Sequence, residues 1–299
     1  MKRIEMDTLC YLCYLQRNSD IAHTLGDEET ATAFLRDVMK LYVDAPAGVS
    51  SPWFGPEVGK LIEKYYGITE EARFREEKRL SNQFVMERMD TFRQAVQAAD
   101  DPVYAGLQWA VLGNYLDFSA LRGEVSFEKM EQMLAQANSM ELDRQVYSQL
   151  CRDLETGKNL LYICDNAGEI GMDRLFAEAI AQRYPHLSIT FCVRGGPAVN
   201  DATRADAEAV GIPFPVIDNG SCIAGTVIDR LGDEAKAALA QADVIISKGQ
   251  ANVETLLGCG YNIYYAFLVK CQRFINLFNK PKLTPMLLRE RSGDCFREG

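Results

Sequence analysis

Five short apolar runs in the second half of the chain constrain its fold more than any other feature: residues 160–164, 189–193, 214–217, 244–246 and 263–269. Each is too short for a helix. Helical stretches stand between them: one with Leu175, Phe176, Ala179 and Ile180, one near 202–210, one at 229–241 and a short one at 254–257. Continuous apolar strands alternating with amphipathic helices predict a parallel sheet covered on both faces.

The first half reads as helices. A long one covers 21–43, and Pro, Gly and Ser break the pattern at 46–56. Val85, Met89, Phe92 and Val96 share one helix face. Asp100-Asp101-Pro102 caps and starts another helix, with Leu107, Val111 and Tyr115 as its apolar stripe. A further helical stretch covers 127–150. The expected class is therefore α/β: a helical N-terminal domain, 1–150, and a doubly wound, mainly parallel sheet domain, 151–299. Residues 279–299 read as a terminal extension. No internal repeat or low-complexity stretch is visible.

Composition narrows the function. Of 299 residues, 47% are hydrophobic and 25% charged, an ordinary globular balance. No apolar run is long enough to span a membrane, and the N-terminus lacks the apolar core of a signal peptide. The expected location is cytoplasmic. A net charge of −10 argues against nucleic acid or an anionic membrane as partner, since both need clustered Lys and Arg. It leaves room for an anionic small molecule held by a few local cations and a metal. The nine cysteines read as reduced thiols. Oligomeric state is not legible.

In a doubly wound sheet, ligands bind beyond the carboxyl ends of the strands. The residues after each run are Asp165-Asn166-Ala167-Gly168-Glu169, then Arg194 to Asp201, then Ser247-Lys248-Gly249-Gln250, then Lys270. Singly, each has an ordinary structural role: Asp165 as a helix cap, Gly195-Gly196-Pro197 as a turn, Lys248 as a solvated charge. Together they are two carboxylates, an amide, basic residues and glycines on one sheet edge. Asp165, Asn166 and Asp201 offer hard oxygen ligands for a divalent ion. Arg194, Lys248 and the backbone around Gly195, Gly196, Asn200 and Gly249 are expected to neutralise a phosphate. Glu169 is expected to support the ligands or cap its helix, with direct ligation as the alternative. The two histidines, His23 and His186, lie in no motif.

These motifs, with Asp173-Arg174-Leu175, Asn200-Asp201-Ala202-Thr203 and Asn252, resemble the family first called domain of unknown function 89, now described as the damage-control phosphatases. In the first half, Cys10-Tyr11-Leu12-Cys13, Lys78 with Ser81-Asn82, and Gly113-Asn114 with Asp117 look like its N-terminal signatures, and the similarity extends over most of the chain. The Cys pair is similar to a subgroup found mainly in archaea and bacteria. The resemblance implies an α/β phosphatase using Mn²⁺, Co²⁺, Ni²⁺ or Mg²⁺ on Asp165, Asn166 and Asp201, and acting on a small phosphorylated metabolite such as a sugar phosphate. The family usually has Gly where this chain has Ala251, which would narrow the freedom of that turn.

The residues leave some roles open. Asp165 reads as ligand or as covalent nucleophile. Asn114 and Asp117 share a helix face and read either as a structural polar contact or as a surface closing over the substrate; Lys78 and Asn82 carry the same two readings. Cys10 and Cys13 read either as a redox-active or metal-binding pair or, among Tyr11, Leu12, Tyr14 and Leu15, as part of a buried helix face. Two other functions fit the same edge: an S-adenosylmethionine-dependent carboxyl methyltransferase, and a non-enzymatic metal or ligand sensor. A dinucleotide-binding oxidoreductase does not fit, because the turn after the first run lacks G-x-G-x-x-G.

Overall fold

The computed structural model describes residues 4–115 and 140–290. The first segment is helical: α1 (Thr8–Leu25), α2 (Glu28–Val43), α3 (Gly55–Tyr66), α4 (Glu70–Met86), α5 (Met89–Gln97) and α6 (Pro102–Gly113). The second alternates: α7 (Arg144–Thr156), β1 (Asn159–Ile163), α8 (Glu169–Arg183), β2 (Ser188–Val193), α9 (Arg204–Ala209), β3 (Val216–Asp218), α10 (Asp233–Gln241), β4 (Val244–Lys248), α11 (Gln250–Leu256), β5 (Ile263–Leu268), α12 (Gln272–Phe278) and β6 (Pro285–Glu290).

The strands form a single sheet in the order β3-β2-β1-β4-β5-β6. All pairs are parallel except β5 with β6. The five apolar runs are thus the five parallel strands of an α/β sheet. Their side chains alternate between two cores. Leu160, Tyr162, Val244 and Ile246 enter one, and Leu161, Ile163 and Ile245 enter the other. Period-two alternation with apolar residues on both faces is what a doubly covered strand requires.

Several expected elements come out differently. The helix read over 21–43 is two helices, because Gly26 closes α1 and the Asp27 carboxylate caps α2 by accepting from Thr30 N–H at 2.8 Å. The stripe Val85–Met89–Phe92–Val96 is buried in one core, but Arg88 leaves helical geometry and divides it between α4 and α5. The stretch read as a C-terminal extension contributes β6, an antiparallel edge strand. Most of 127–150 lies outside the described residues.

The cores do not divide at residue 150. α7 runs across that position, and α5 and α6 share the core of one sheet face. A separate core, with Phe34, Val38, Phe54 and Ile62, lies among α1, α2 and α3. Every described residue of α6 from Val103 on is buried, the pattern of a helix enclosed on all sides. It lies tight against α8. A Cβ on Gly106 would stand 2.9 Å from Phe176 Cα, a backbone atom that cannot turn aside. Gly106→Leu is expected to lower the unfolding free energy by roughly 1–3 kcal/mol or more through overpacking, read from the urea midpoint.

Candidate functional site

The strand order reverses at β1, which has β2 on one side and β4 on the other. The segments leaving β1, β2 and β4 therefore meet at one place, the crevice where such sheets bind ligands. Asn166 and Asp201 form a β-bridge across it. The backbone locks this junction: Ala202 N–H donates to Asp165 O at 2.7 Å and Ala167 N–H to Asn200 O at 2.9 Å. Val199, just before, holds a left-handed φ of 52°, a strained conformation for a β-branched residue. Its N–H donates to Glu70 Oε1 of α4 at 3.1 Å.

Asp165, Asn166 and Asp201 are each at most 4% exposed, and all three line a cavity of about 230 Å³. Asp165 Oδ2 accepts from Asn114 Nδ2 at 3.0 Å and from Asn166 Nδ2 at 2.9 Å. Gly249 seals its back. With φ at 76°, a Cβ there would fall 1.8 Å from Asp165 Oδ2, so only glycine fits on both counts. Asn166 Nδ2 also donates to Glu169 Oε2 at 2.8 Å. The amide is thereby oriented, and its Oδ1 accepts no hydrogen bond among the described residues.

Arg194 stands behind this cluster. Its Nε donates to Asp201 Oδ2 at 2.5 Å, and its Nη2 lies 3.6 Å from Asp165 Oδ1. Burial pulls the guanidinium's pKa down, but Asp201 and Asp165 outweigh it and hold it above its usual value. Neither Nη has a hydrogen-bond partner among the described residues. Arg194 is enclosed and is not part of the cavity wall, so it holds two carboxylates as anions instead of facing a phosphate.

Lys248 also differs from its expected role. It is fully buried, and its Nζ donates to Ala110 O at 2.8 Å, Glu169 Oε1 at 2.6 Å and Asp173 Oδ1 at 2.7 Å. An ammonium has three protons, so none remains for a phosphate. Glu169, taken by Lys248, Asn114 and Asn166, is a support and not a ligand. Asn114 uses its whole amide, since Leu268 N–H donates to its Oδ1 at 3.1 Å. Of its two readings, the structural contact holds. Asp117 lies outside the described residues.

The glycine turn is equally committed. Gly195 N–H donates to Ser221 O and Asn219 Oδ1, and Gly196 faces a separate, larger cleft beside α4. That cleft holds Lys78, paired with Asp206 at 2.6 Å, and Asn82, which accepts from Gly168 N–H at 2.7 Å and braces the turn after β1. Asn200 does line the cavity. Ala251 lines it too, within α11 at a negative φ. The positive-φ position is Gly249, so the alanine does not restrict the turn.

The rest of the cavity wall was not legible as a site. It includes Arg17, Ser51, Glu254, Cys271 and Arg273, along with Cys10 and Cys13. Cys10 is half-buried and Cys13 exposed, so α1 turns this face to the cavity and not to a core. The signal was present: Cys10, Cys13, Tyr14 and Arg17 follow helical spacing. Glu254 is held by the Ser51 hydroxyl and by Gln250 Nε2 at 3.1 Å, and burial pushes its carboxyl up.

The oxygens facing the cavity suit a hard divalent ion. They are two carboxylates and one oriented amide, with few protein ligands and hence open positions. Among the described residues, no group of three His, Cys, Asp or Glu converges to hold a metal, so any ion here depends on the Asn166 amide.

Residues 6–283 match the family model described as the damage-control phosphatase ARMT1-like domain. A protein named damage-control phosphatase from Archaeoglobus fulgidus is 28% identical over 278 residues, 90% of this chain and 93% of its own length. Another so named, from Pyrococcus horikoshii, is 30% identical over 186 residues, 61% of this chain and 63% of its own. The crystal structure of a DUF89 family protein from Pyrococcus horikoshii covers 95% of this chain and 99% of its own, with a TM-score of 0.81 at 24% identity, which shows a shared fold.

Two outcomes follow from the buried charges. Lys248→Met is expected to cost about 3–5 kcal/mol, because it leaves Glu169 and Asp173 unneutralised in the interior; urea denaturation measures it. Burial pushes Asp173 up from 3.8 to about 7, with Lys248 opposing and Glu169 reinforcing. The fold therefore binds a proton there that the unfolded chain releases, and stability falls as pH rises through that window. Asp173→Asn should flatten the decline relative to the native protein in unfolding measurements across it.

Proposed function

This chain belongs to the damage-control phosphatase ARMT1-like family, and from that premise we propose that it hydrolyses a small phosphomonoester with a divalent metal ion. The observation that carries the metal reading is the oriented Asn166 amide, its Oδ1 left without a hydrogen bond beside Asp165 and Asp201. Mn²⁺, Co²⁺, Ni²⁺ or Mg²⁺ would be held by these three residues and would polarise the phosphoryl oxygen and acidify bound water.

The chain's own residues do the rest. Arg194 keeps Asp201 and Asp165 ionised. Asn114 and Asn166 fix the orientation of Asp165 through its Oδ2. Two amide donors on that oxygen suit a fixed ligand, and Oδ1, the oxygen left for attack, lies 3.6 Å from the Arg194 guanidinium, which draws on its lone pairs and weakens it as a nucleophile. We therefore read Asp165 as a ligand and water as the nucleophile. Cavity cations, Arg17 and Arg273, supply positive charge on an otherwise acidic wall. No described helix is long and apolar enough to cross a membrane.

The test is a phosphatase panel of p-nitrophenyl phosphate and sugar phosphates with each of the four ions. Turnover is expected only with metal. Asp201→Asn keeps the shape of the side chain but removes its charge and its ion pair with Arg194, leaving Asp165 as that guanidinium's carboxylate. It is expected to lower metal-dependent kcat/KM by about a hundredfold or more and to shrink the rise in Tm that Mn²⁺ gives the native protein. Full activity and an unchanged metal response in that variant would remove the assignment, and trapping of an aspartyl phosphate would move Asp165 from ligand to nucleophile.

A further inference from the structure

The strand ends form one wall of the cavity, and a face of α1 forms another. On that face Arg17 stands one turn beyond Cys13. Its side chain makes no hydrogen bond or ion pair among the described residues. The other cavity charges are all engaged. Arg273 donates to Cys10 Sγ at 3.1 Å and lies 3.6 Å from Asp7. Glu254 is held by Ser51 and Gln250, and Asp201 by Arg194.

A second guanidinium lies near Arg17, with Glu70 and Glu77 as that neighbour's own acids. Arg73 of α4 is close enough that Arg17, together with burial, holds its pKa below the usual value. The carboxylate between α4 and the cavity, Glu70, is spent on Arg73 at 2.7 Å and on the Val199 amide. A half-buried guanidinium beside a second one, with no acid of its own, is poised for an anion.

Arg17 and the strand ends stand on different walls of the cavity, and Arg17 makes no ion pair with Asp165 or Asp201. A ligand that reaches both walls can present a different group to each. Resting on the phosphohydrolase reading above, we propose that the substrate carries a second acidic group, a carboxylate or a second phosphate, and that Arg17 is the specificity residue that receives it. The planar fork matches either group bidentately. This supplies what Arg194 and Lys248, both enclosed, cannot give: a cation that meets the ligand directly.

The experiment reads binding, so that it does not depend on turnover. Calorimetry on the full-length protein, both metal-free and with Mg²⁺ added, compares two matched pairs: 3-phosphoglycerate against glycerol 3-phosphate for a carboxylate, and a hexose 1,6-bisphosphate against its 1-phosphate for a phosphate. In at least one pair the acid-bearing member should bind roughly tenfold to a hundredfold more tightly. Arg17→Ala should bring that ratio close to one. Arg17→Lys, which keeps the charge without the fork, should keep part of it, and serves alone if the alanine variant melts early. Equal affinities within both pairs, a ratio unchanged in the variants, or no detectable binding of either acid-bearing ligand would overturn the assignment. A protein that shows the preference but hydrolyses nothing would overturn the hydrolase reading and leave Arg17 in place. Turnover of p-nitrophenyl phosphate without the preference would do the reverse.

Discussion

The buried ammonium of Lys248 is the interaction on which the site depends. It joins three elements at the point where the sheet reverses: the end of β4, the first turns of α8 through Glu169 and Asp173, and α6 through the Ala110 carbonyl. An isolated charge at that depth would be prohibitively costly, and so would two carboxylates. Each is tolerated only because the others are there. From Glu169 the ordering passes outward. Its second oxygen receives the Asn114 and Asn166 amides, and both amides in turn donate to Asp165. The orientation of Asp165 and Asn166 at the cavity is thus set by charges that never meet solvent.

The helical half takes part in this directly. Asn114 comes from the end of α6, and the Asn82 that braces Gly168 comes from α4. A division of labour between a helical domain and a catalytic sheet domain does not describe such a structure. The glycine contact between α6 and α8 sets how near Asn114 comes to Asp165, so packing far from solvent becomes geometry at the cavity.

How much of this was legible follows from what each signal encodes. The five parallel strands were readable because burial on both faces demands uninterrupted apolar residues. β6 was not, because an edge strand such as Pro285–Glu290 is half-exposed and carries Arg289 and Glu290. The breaks at Gly26–Asp27 and at Arg88 leave the apolar stripe intact and so are invisible to periodicity. Asp165, Asn166 and Asp201 were readable because topology alone carries every strand end to one edge. Lys248 was misjudged on direction, although the information was present. It shares parity with Val244 and Ile246, whose side chains enter the core beside α6 and α8, so its stem had to point there.

Arg17 shows the opposite limit. Helical spacing puts it on one face with Cys10, Cys13 and Tyr14, but that this face lies across the end of the sheet is a long-range fact that spacing does not contain. Its position also has a physical logic. A cation placed among the strand-end oxygens would compete with any divalent ion for them, whereas a cation buried behind them, as Arg194 is, strengthens them as anions. A cation on the far element of the cavity can attract the ligand without entering that competition. The three basic residues at increasing distance from the cluster's open face, Arg17 in the cavity, Arg194 behind the carboxylates and Lys248 beneath Glu169, therefore divide the electrostatic work among recognition, ionisation and support. This division lets a chain of net charge −10 present positive charge where an anionic ligand would meet it.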